Sequence, residues 1–208
     1  MTLSTPTSPE GCPEASTDRE LALRARQGEE VALEELALRH REAVYLLGLQ
    51  LLGNPDDAMD ATQETLLRFI DNLDRFDPSR PVRPWLYAIL RNRVRDLRRR
   101  RKVRRWEPLE GDDDRWRPEL VDPDADPQRR ARRSELQERV WRALGALSPE
   151  HREIVVLRDY QDLSYGEIAR VLDIPRGTVM SRLHRARKRL ASILRSPGGD
   201  EGQGGRTP

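Results

Sequence analysis

A chain of 208 residues with 36% hydrophobic, 5% aromatic and 36% charged residues has too little apolar material for one large core and suits small helical modules. The scarcity of β-branched and aromatic runs argues against sheets. The formal net charge is only +2, so the placement of charge carries more meaning than its sum.

Met1 to Thr17 is rich in Ser, Thr and Pro and is predicted to be a disordered leader (1–17). It holds the single cysteine, Cys12, which leaves no disulfide framework and no CxxC redox or zinc motif. His40, His151 and His184 lack metal-ligand spacing, so no metal and no cofactor are expected. No segment approaches the roughly 20 apolar residues of a membrane span, and the N-terminus lacks the basic-then-apolar order of a signal peptide. A cytoplasmic protein without membrane insertion is the expectation.

A first helical block spans 18–106. Its opening helix runs from about Asp18 to Gln27, and a longer one carries Leu33, Leu36, His40, Val44, Leu47 and Leu51 at helical spacing. Gly53-Asn54-Pro55 closes that helix and opens the next, with Asn54 as cap and Pro55 in the first turn. The third helix carries Ala58, Ala61, Leu66, Phe69, Ile70 and Leu73 before the Asp77-Pro78 break. A loop from Asp77 to Arg83 leads to Pro84 and a fourth helix, lined on one face by Leu86, Leu90, Val94 and Leu97.

Residues 107–128, with four prolines and the clusters Asp112-Asp113-Asp114 and Asp122/Asp124/Asp126, read as an acidic linker. A second block spans 129–195. It starts with a helix whose apolar face is Leu136, Val140, Leu144 and Leu147, then restarts at Ser148-Pro149 into a helix with Ile154, Val155 and Leu157. Ser164-Tyr165-Gly166-Glu167 is a capping box, opening a short helix in which Ile168, Ala169 and Leu172 are buried. After the Asp173-Ile174-Pro175 turn, a last helix turns Val179, Leu183, Ala186 and Leu190 inward. Two helices joined by a tight turn, the second rich in Arg, read as a helix-turn-helix. Residues 196–208 are a Gly-rich tail.

Cations concentrate in two places. Between Arg80 and Arg105 the chain carries Arg80, Arg83, Arg91, Arg93, Arg95, Arg98, Arg99, Arg100, Arg101, Lys102, Arg104 and Arg105 against the single acid Asp96. Such a patch binds nucleic acid by neutralising phosphate and releasing counterions; the plain alternative is a solvated helix end whose cations favour the dipole. Trp85 and Tyr87 stand at the start of this helix, where aromatics suit unpaired bases, although Trp85 also reads as a core anchor. On the last helix, Arg176, Thr178, Ser181, Arg182, His184, Arg185 and Lys188 lie outside the apolar stripe and suit major-groove edges and phosphates.

Leu147 to Leu190 closely resembles region 4 of extracytoplasmic-function sigma factors of the sigma-70 family. Asp56 to Phe76 is similar to region 2.2, and Arg83 to Arg101 to regions 2.3 and 2.4. The resemblance implies an all-α chain of two small domains, a sigma-2 four-helix domain and a sigma-4 helix-turn-helix domain joined by a flexible linker. It implies a sigma factor that binds core RNA polymerase and directs promoter recognition, melting and initiation. By position, Asp57, Asp60, Gln63, Glu64 and Leu67 would dock on the clamp of the largest subunit, the second-largest subunit also taking part. Arg80, Arg83, Trp85, Arg91, Asn92, Arg98, Arg99 and Arg101 would serve the melted −10 element, Asn92 as a base contact. The last helix would read the −35 element as duplex. The linker would follow the RNA exit path, and an anti-sigma factor is a partner the family allows. Two departures stand out: Met180 occupies a position usually Lys or Arg, and Asp173 replaces the usual turn Gly.

A stand-alone regulator with the same helix-turn-helix leaves Asp56 to Arg105 unexplained. An enzyme acting on nucleic acid would need paired carboxylates, a nucleophile motif, a phosphate-cradling Gly loop or a metal set, and none is legible.

Overall fold

The computed structural model describes residues 17–104 and 127–195, with side chains over 17–100 and 136–195. Most of the predicted leader, the predicted linker up to residue 126, the tail, Cys12 and the Arg101 side chain lie outside the described residues. Every regular element among the described residues is helical.

Local chemistry sets each helix start. In α1 (Asp18–Arg26), Thr17 and Glu20 form a capping box that the sequence reading missed. In α2 (Glu30–Leu52) the chain ends on Gly53 in the left-handed region, φ 73°, with its N–H on the Leu49 carbonyl at 2.8 Å. Asn54 caps α3 (Pro55–Asp71) from its side chain, with Pro55 in the first turn. A short 3₁₀ turn, Leu73–Arg75, leads out of α3.

The fourth helix, α4 (Val82–Arg104), begins two residues before the expected Pro84 start. Pro84 sits in the first turn, where backbone N–H groups lack helical partners and proline costs nothing. In the second block, α5 (Pro127–Gly145) starts at the last residues of the predicted linker. Leu136 is exposed, and Trp141 rather than Leu136 joins Leu144 and Leu147 in the core. Ser148 and Pro149 open α6 (Pro149–Val155), which runs on as one turn of π-helix over Val156–Tyr160. The Ser164/Glu167 capping box opens α7 (Tyr165–Leu172), which ends on Asp173 at φ 51°. Asp is one of the few residues other than Gly that visits this conformation routinely. The last helix is α8 (Arg176–Arg195).

In the first block α1, α3 and α4 pack on α2, and Leu36, Val44, Leu47, Phe69, Leu86 and Leu90 are fully buried. His40, also buried, bonds Asp18 at 2.7 Å and ties α2 to the first turn of α1. Burial holds the imidazole below its ordinary pKa, with Asp18 opposing. In the second block α6, α7 and α5 pack on α8 around Ile154, Ile168, Leu172, Val179 and Leu183.

The two blocks also touch. Helix α4 lies along α7, and the end of α2 meets α6. The Tyr87 hydroxyl donates to Gln161 Oε1 at 2.6 Å, and Gln161 Nε2 donates to Gln50 Oε1 at 3.2 Å. The Leu51 carbonyl, in the last turn of α2, accepts from Arg98 at 2.8 Å and from Arg152 at 3.1 Å, one guanidinium from each block. A carbonyl in a last helical turn needs such an outside donor when water is excluded.

Candidate nucleic-acid interface

Three surfaces hold the predicted site residues. On α3, Asp60, Gln63 and Leu67 are exposed along one face, and Leu67 is 62% exposed. Met59 and Ile70 extend that face with apolar surface. Ile70 was expected in the core, and its exposure makes the strip more apolar than the carboxylates alone suggest. Polar Asp60 and Gln63 thus share one exposed strip with apolar Met59, Leu67 and Ile70. Asp57 is half-buried beside the Asn54 cap. Glu64 is turned inward, 2.6 Å from Arg68 Nη2 and 2.5 Å from Arg93 Nε, and binds α3 to α4.

The second surface surrounds α4. Arg80, 3.1 Å from Asp77, and Arg83 are exposed at its entrance. Trp85 stacks on Phe76, centroids 5.1 Å apart, and meets Phe69 edge-on at 5.2 Å. Its other side borders an open cleft of about 330 Å³, lined also by Arg68, Asn72, Arg75, Ile89 and the exposed Asn92. Trp85 is thus both the core anchor and a wall of the cleft. Arg68, Asn72 and Arg75 escaped the sequence reading; they come from the last turn of α3, its C-cap and the 3₁₀ turn that follows, and only Arg68 lies on the helix itself.

The remaining α4 arginines divide. Arg99 is exposed and 2.6 Å from Asp96. Arg91 and Arg98 point the other way, into a cleft of about 630 Å³ between the blocks. There each lies 3.6 Å from Glu153, a carboxylate 5% exposed. Neighbouring Arg152 donates to the carbonyls of Leu144, Gly145 and Leu51. Burial, with Arg98 beside it, draws the Arg152 guanidinium down to about 10 while Glu153 opposes.

The third surface is α8. With Val179, Leu183 and Ala186 buried, the opposite face presents Gly177, Ser181, His184 and Lys188, flanked by Arg185 and a 55%-exposed Met180. Arg176 is exposed in the first turn, and Thr178 is half-buried there. Ser181 Oγ donates to the Thr178 carbonyl at 3.2 Å and Arg185 Nε to the Ser181 carbonyl at 3.3 Å, so the face is ordered from within. Arg182 stands apart, beside the buried stripe and 3.6 Å from Glu150 in the inter-block cleft. Arg187 pairs with Asp159 and fixes α8 to the π-turn.

Comparison with known proteins accounts for both blocks. Residues 36–104 match the family model "Sigma-70 region 2" and residues 137–190 match "Sigma-70, region 4". The ECF RNA polymerase sigma factor SigE of Mycolicibacterium smegmatis is 39% identical over 77% of this chain, which spans 61% of that relative's length. The RNA polymerase sigma factor CnrH of Cupriavidus metallidurans is 37% identical over 85% of this chain and 94% of its own. The structure of CnrH in complex with the cytosolic domain of CnrY superposes with a TM-score of 0.63 and 32% identity, covering 85% of this chain and 96% of that one. The sigma factor RpoE of Bartonella quintana, solved with the anti-sigma factor NepR, gives 0.61 at 26% identity over 77% and 95%. The chain belongs to the extracytoplasmic-function sigma factors of the sigma-70 family, non-enzymatic subunits that direct RNA polymerase to promoters.

Proposed function

We propose that the three surfaces divide promoter opening between them. The exposed α3 strip of Asp60, Gln63 and Leu67 docks on the clamp of the largest polymerase subunit, Asp57 and Glu64 supporting it from the same helix. The Trp85/Asn92 cleft takes a base that has left the stack, while Arg80, Arg83, Arg99 and, once exposed, Arg91 and Arg98 follow the strand's phosphates. Helix α8 reads the −35 element in the major groove, with Arg185 offered to a base edge. Unstacking costs a few kcal/mol per base, and contacts on the open strand offset it without ATP. The chain acts in the cytoplasm with the polymerase core, and an anti-sigma factor is a further partner, supported by the NepR complex of the Bartonella relative.

The observation that carries this reading is the cleft: an aromatic wall at Trp85 and, two turns further along the same arginine-rich helix, the exposed amide of Asn92 line one opening. Transcription of fragmented host DNA by core polymerase, with and without the protein, tests it. Discrete start sites that need the protein are expected. Asn92→Ala is expected to impair open-complex formation more than closed-complex binding; unchanged permanganate reactivity in the melted region would remove Asn92 from the role.

A further inference from the structure

We infer that the cleft of about 630 Å³ between the blocks is a binding site for a diphosphate group, carried by a nucleotide or free, and that Arg91, Arg98 and Arg182 hold it. Such a ligand takes donors that the chain itself leaves unmatched, and it makes no demand on what α4 does with DNA.

Three ion pairs line this cleft, and all three are loose. Arg91 Nε and Arg98 Nη1 each lie 3.6 Å from Glu153, and Arg182 Nη2 lies 3.6 Å from Glu150. Outside the cleft, Arg68, Arg93 and Arg99 close on their carboxylates at 2.5–2.6 Å, the reach of a charge-assisted hydrogen bond. Exposure runs the opposite way: Arg91, Arg98 and Arg182 are 15%, 25% and 20% exposed, against 77% for the well-paired Arg99. A guanidinium has five N–H donors. Among the described residues these three groups make two hydrogen bonds, Arg98 to the Leu51 carbonyl at 2.8 Å and Arg91 to the Val171 carbonyl at 3.5 Å. Arg91 Nε is buried and makes none. A buried donor without a partner is costly, and it marks a place where a further acceptor belongs. Burial also lowers the Arg98 pKa with Glu153 opposing, so one carboxylate leaves the buried charge under-compensated.

The walls fix the ligand's class. Five guanidinia, of Arg91, Arg95, Arg98, Arg170 and Arg182, meet three carboxylates, of Glu150, Glu153 and Asp173, which leaves an excess of two positive charges. Glu150 and Glu153 stand one turn apart on α6, roughly 5–6 Å between their Cβ atoms, so the guanidinia they face form two groups at a similar spacing. One tetrahedral phosphate meets one group. Two linked phosphates meet both, with bidentate contact to the planar forks. Arg95 and Arg170 are exposed at the rim and draw an anion in. The volume lies in the range of small-molecule sites, roughly 300–1,000 Å³, and exceeds what a diphosphate fills. Half-buried Ala88 and Ile174 and exposed Pro149 wall the remainder, an apolar surface on which the base of a nucleotide can lie.

The test is calorimetric titration of the full chain with ADP, inorganic pyrophosphate and AMP, without divalent cations and against sulfate at equal ionic strength. ADP and pyrophosphate are expected to saturate at a single site, and AMP to bind at least about tenfold more weakly. Tighter binding of ADP than of pyrophosphate upholds the site and assigns the base to the Ala88 and Ile174 wall. Equal affinities uphold it with the free diphosphate as ligand. Arg91→Gln is expected to weaken both diphosphates at least about tenfold. Arg170→Gln, at an exposed rim position that spares the fold, is expected to weaken them about threefold. Arg189→Gln, an exposed cation of α8 outside the cleft, is expected to leave them unchanged. Should Arg91→Gln fail to fold, Arg170→Gln decides the matter with Arg189→Gln as its reference. Absence of saturable binding by either diphosphate overturns the site, as does AMP binding as tightly as ADP. Equal weakening by Arg189→Gln overturns it in favour of diffuse attraction to an arginine-rich surface. Binding confined to a single-stranded oligonucleotide also overturns it and returns these arginines to the strand alone.

Discussion

Helices α4 and α8 are both long and rich in arginine, yet they hold their cations in opposite ways. On α4 the guanidinia of Arg91, Arg93 and Arg98 are largely buried and paired with Glu153 or Glu64. On α8, among the described residues, Arg176, His184, Arg185 and Lys188 are exposed with no carboxylate paired to them, and the only α8 cations in ion pairs are Arg182 and Arg187. Duplex DNA presents a rigid, ever-available groove, and a surface that reads it can be left standing ready. A melted strand exists only after base pairs part, and several arginines of the helix proposed for it are paired with carboxylates of this chain. Net arginine content would rank the two helices as equivalents; the placement of carboxylates separates them.

The sharpest break of that comparison falls on the aromatic cluster of Phe69, Phe76 and Trp85 beneath α4. Trp85→Ala removes the ring between Phe69 and Phe76 and is expected to destabilise the first block by about 3 kcal/mol. Denaturant unfolding gives the size, and hydrogen exchange should locate the loss in α3 and α4 while protection of α7 and α8 stays near its original level. Loss spread evenly over both blocks would mean that they fold as one unit. The next effect lies on α8. Arg185→Ala is expected to weaken −35 binding by about 1–3 kcal/mol without changing affinity for core polymerase. An equal loss of core affinity would show that α8 is not an independent reader.

Much of this was legible beforehand because it rests on local chemistry. Asn54-Pro55, Ser148-Pro149 and the Ser164/Glu167 box each fix a helix start from within four residues, and each is found where the pattern puts it. The apolar stripe of α8 is likewise a short-range periodicity. What escaped depends on partners distant in the chain. Leu136 follows the heptad-like spacing of α5 yet is exposed, and no sequence pattern says that α8 covers only the Trp141 side. Arg91 and Arg98 read as a phosphate-binding face; their engagement depends on Glu153, more than fifty positions away, and on how the blocks meet. Glu64 matched the docking pattern by position, but Arg93, one helix later, turns it inward. Ion pairs of this kind are set by tertiary approach, and charge counting along the chain cannot supply it.

The smallest effect sharpens the comparison most, because it concerns one methyl group. Met180 is 55% exposed beside Ser181 and His184, an apolar side chain on the otherwise polar face proposed to read the −35 element. The one apolar feature in the major groove is the thymine 5-methyl group. A methyl contact buried on binding is worth about 0.8 kcal/mol, or roughly fourfold in affinity. Replacing each −35 thymine in turn by deoxyuridine, which deletes only that methyl, is therefore expected to weaken binding about fourfold at one position. Met180→Ala should abolish that sensitivity while leaving the penalty of Arg185→Ala intact. If every thymine tolerates the change equally, Met180 lies off the groove and α8 reads the promoter through its polar side chains alone. If the sensitivity persists in Met180→Ala, another side chain meets the methyl, and the orientation of α8 deduced from its buried stripe must be rotated toward His184. Either result fixes the angle at which the ready helix enters the groove, a quantity for which α4, paired with its own chain, has no equivalent.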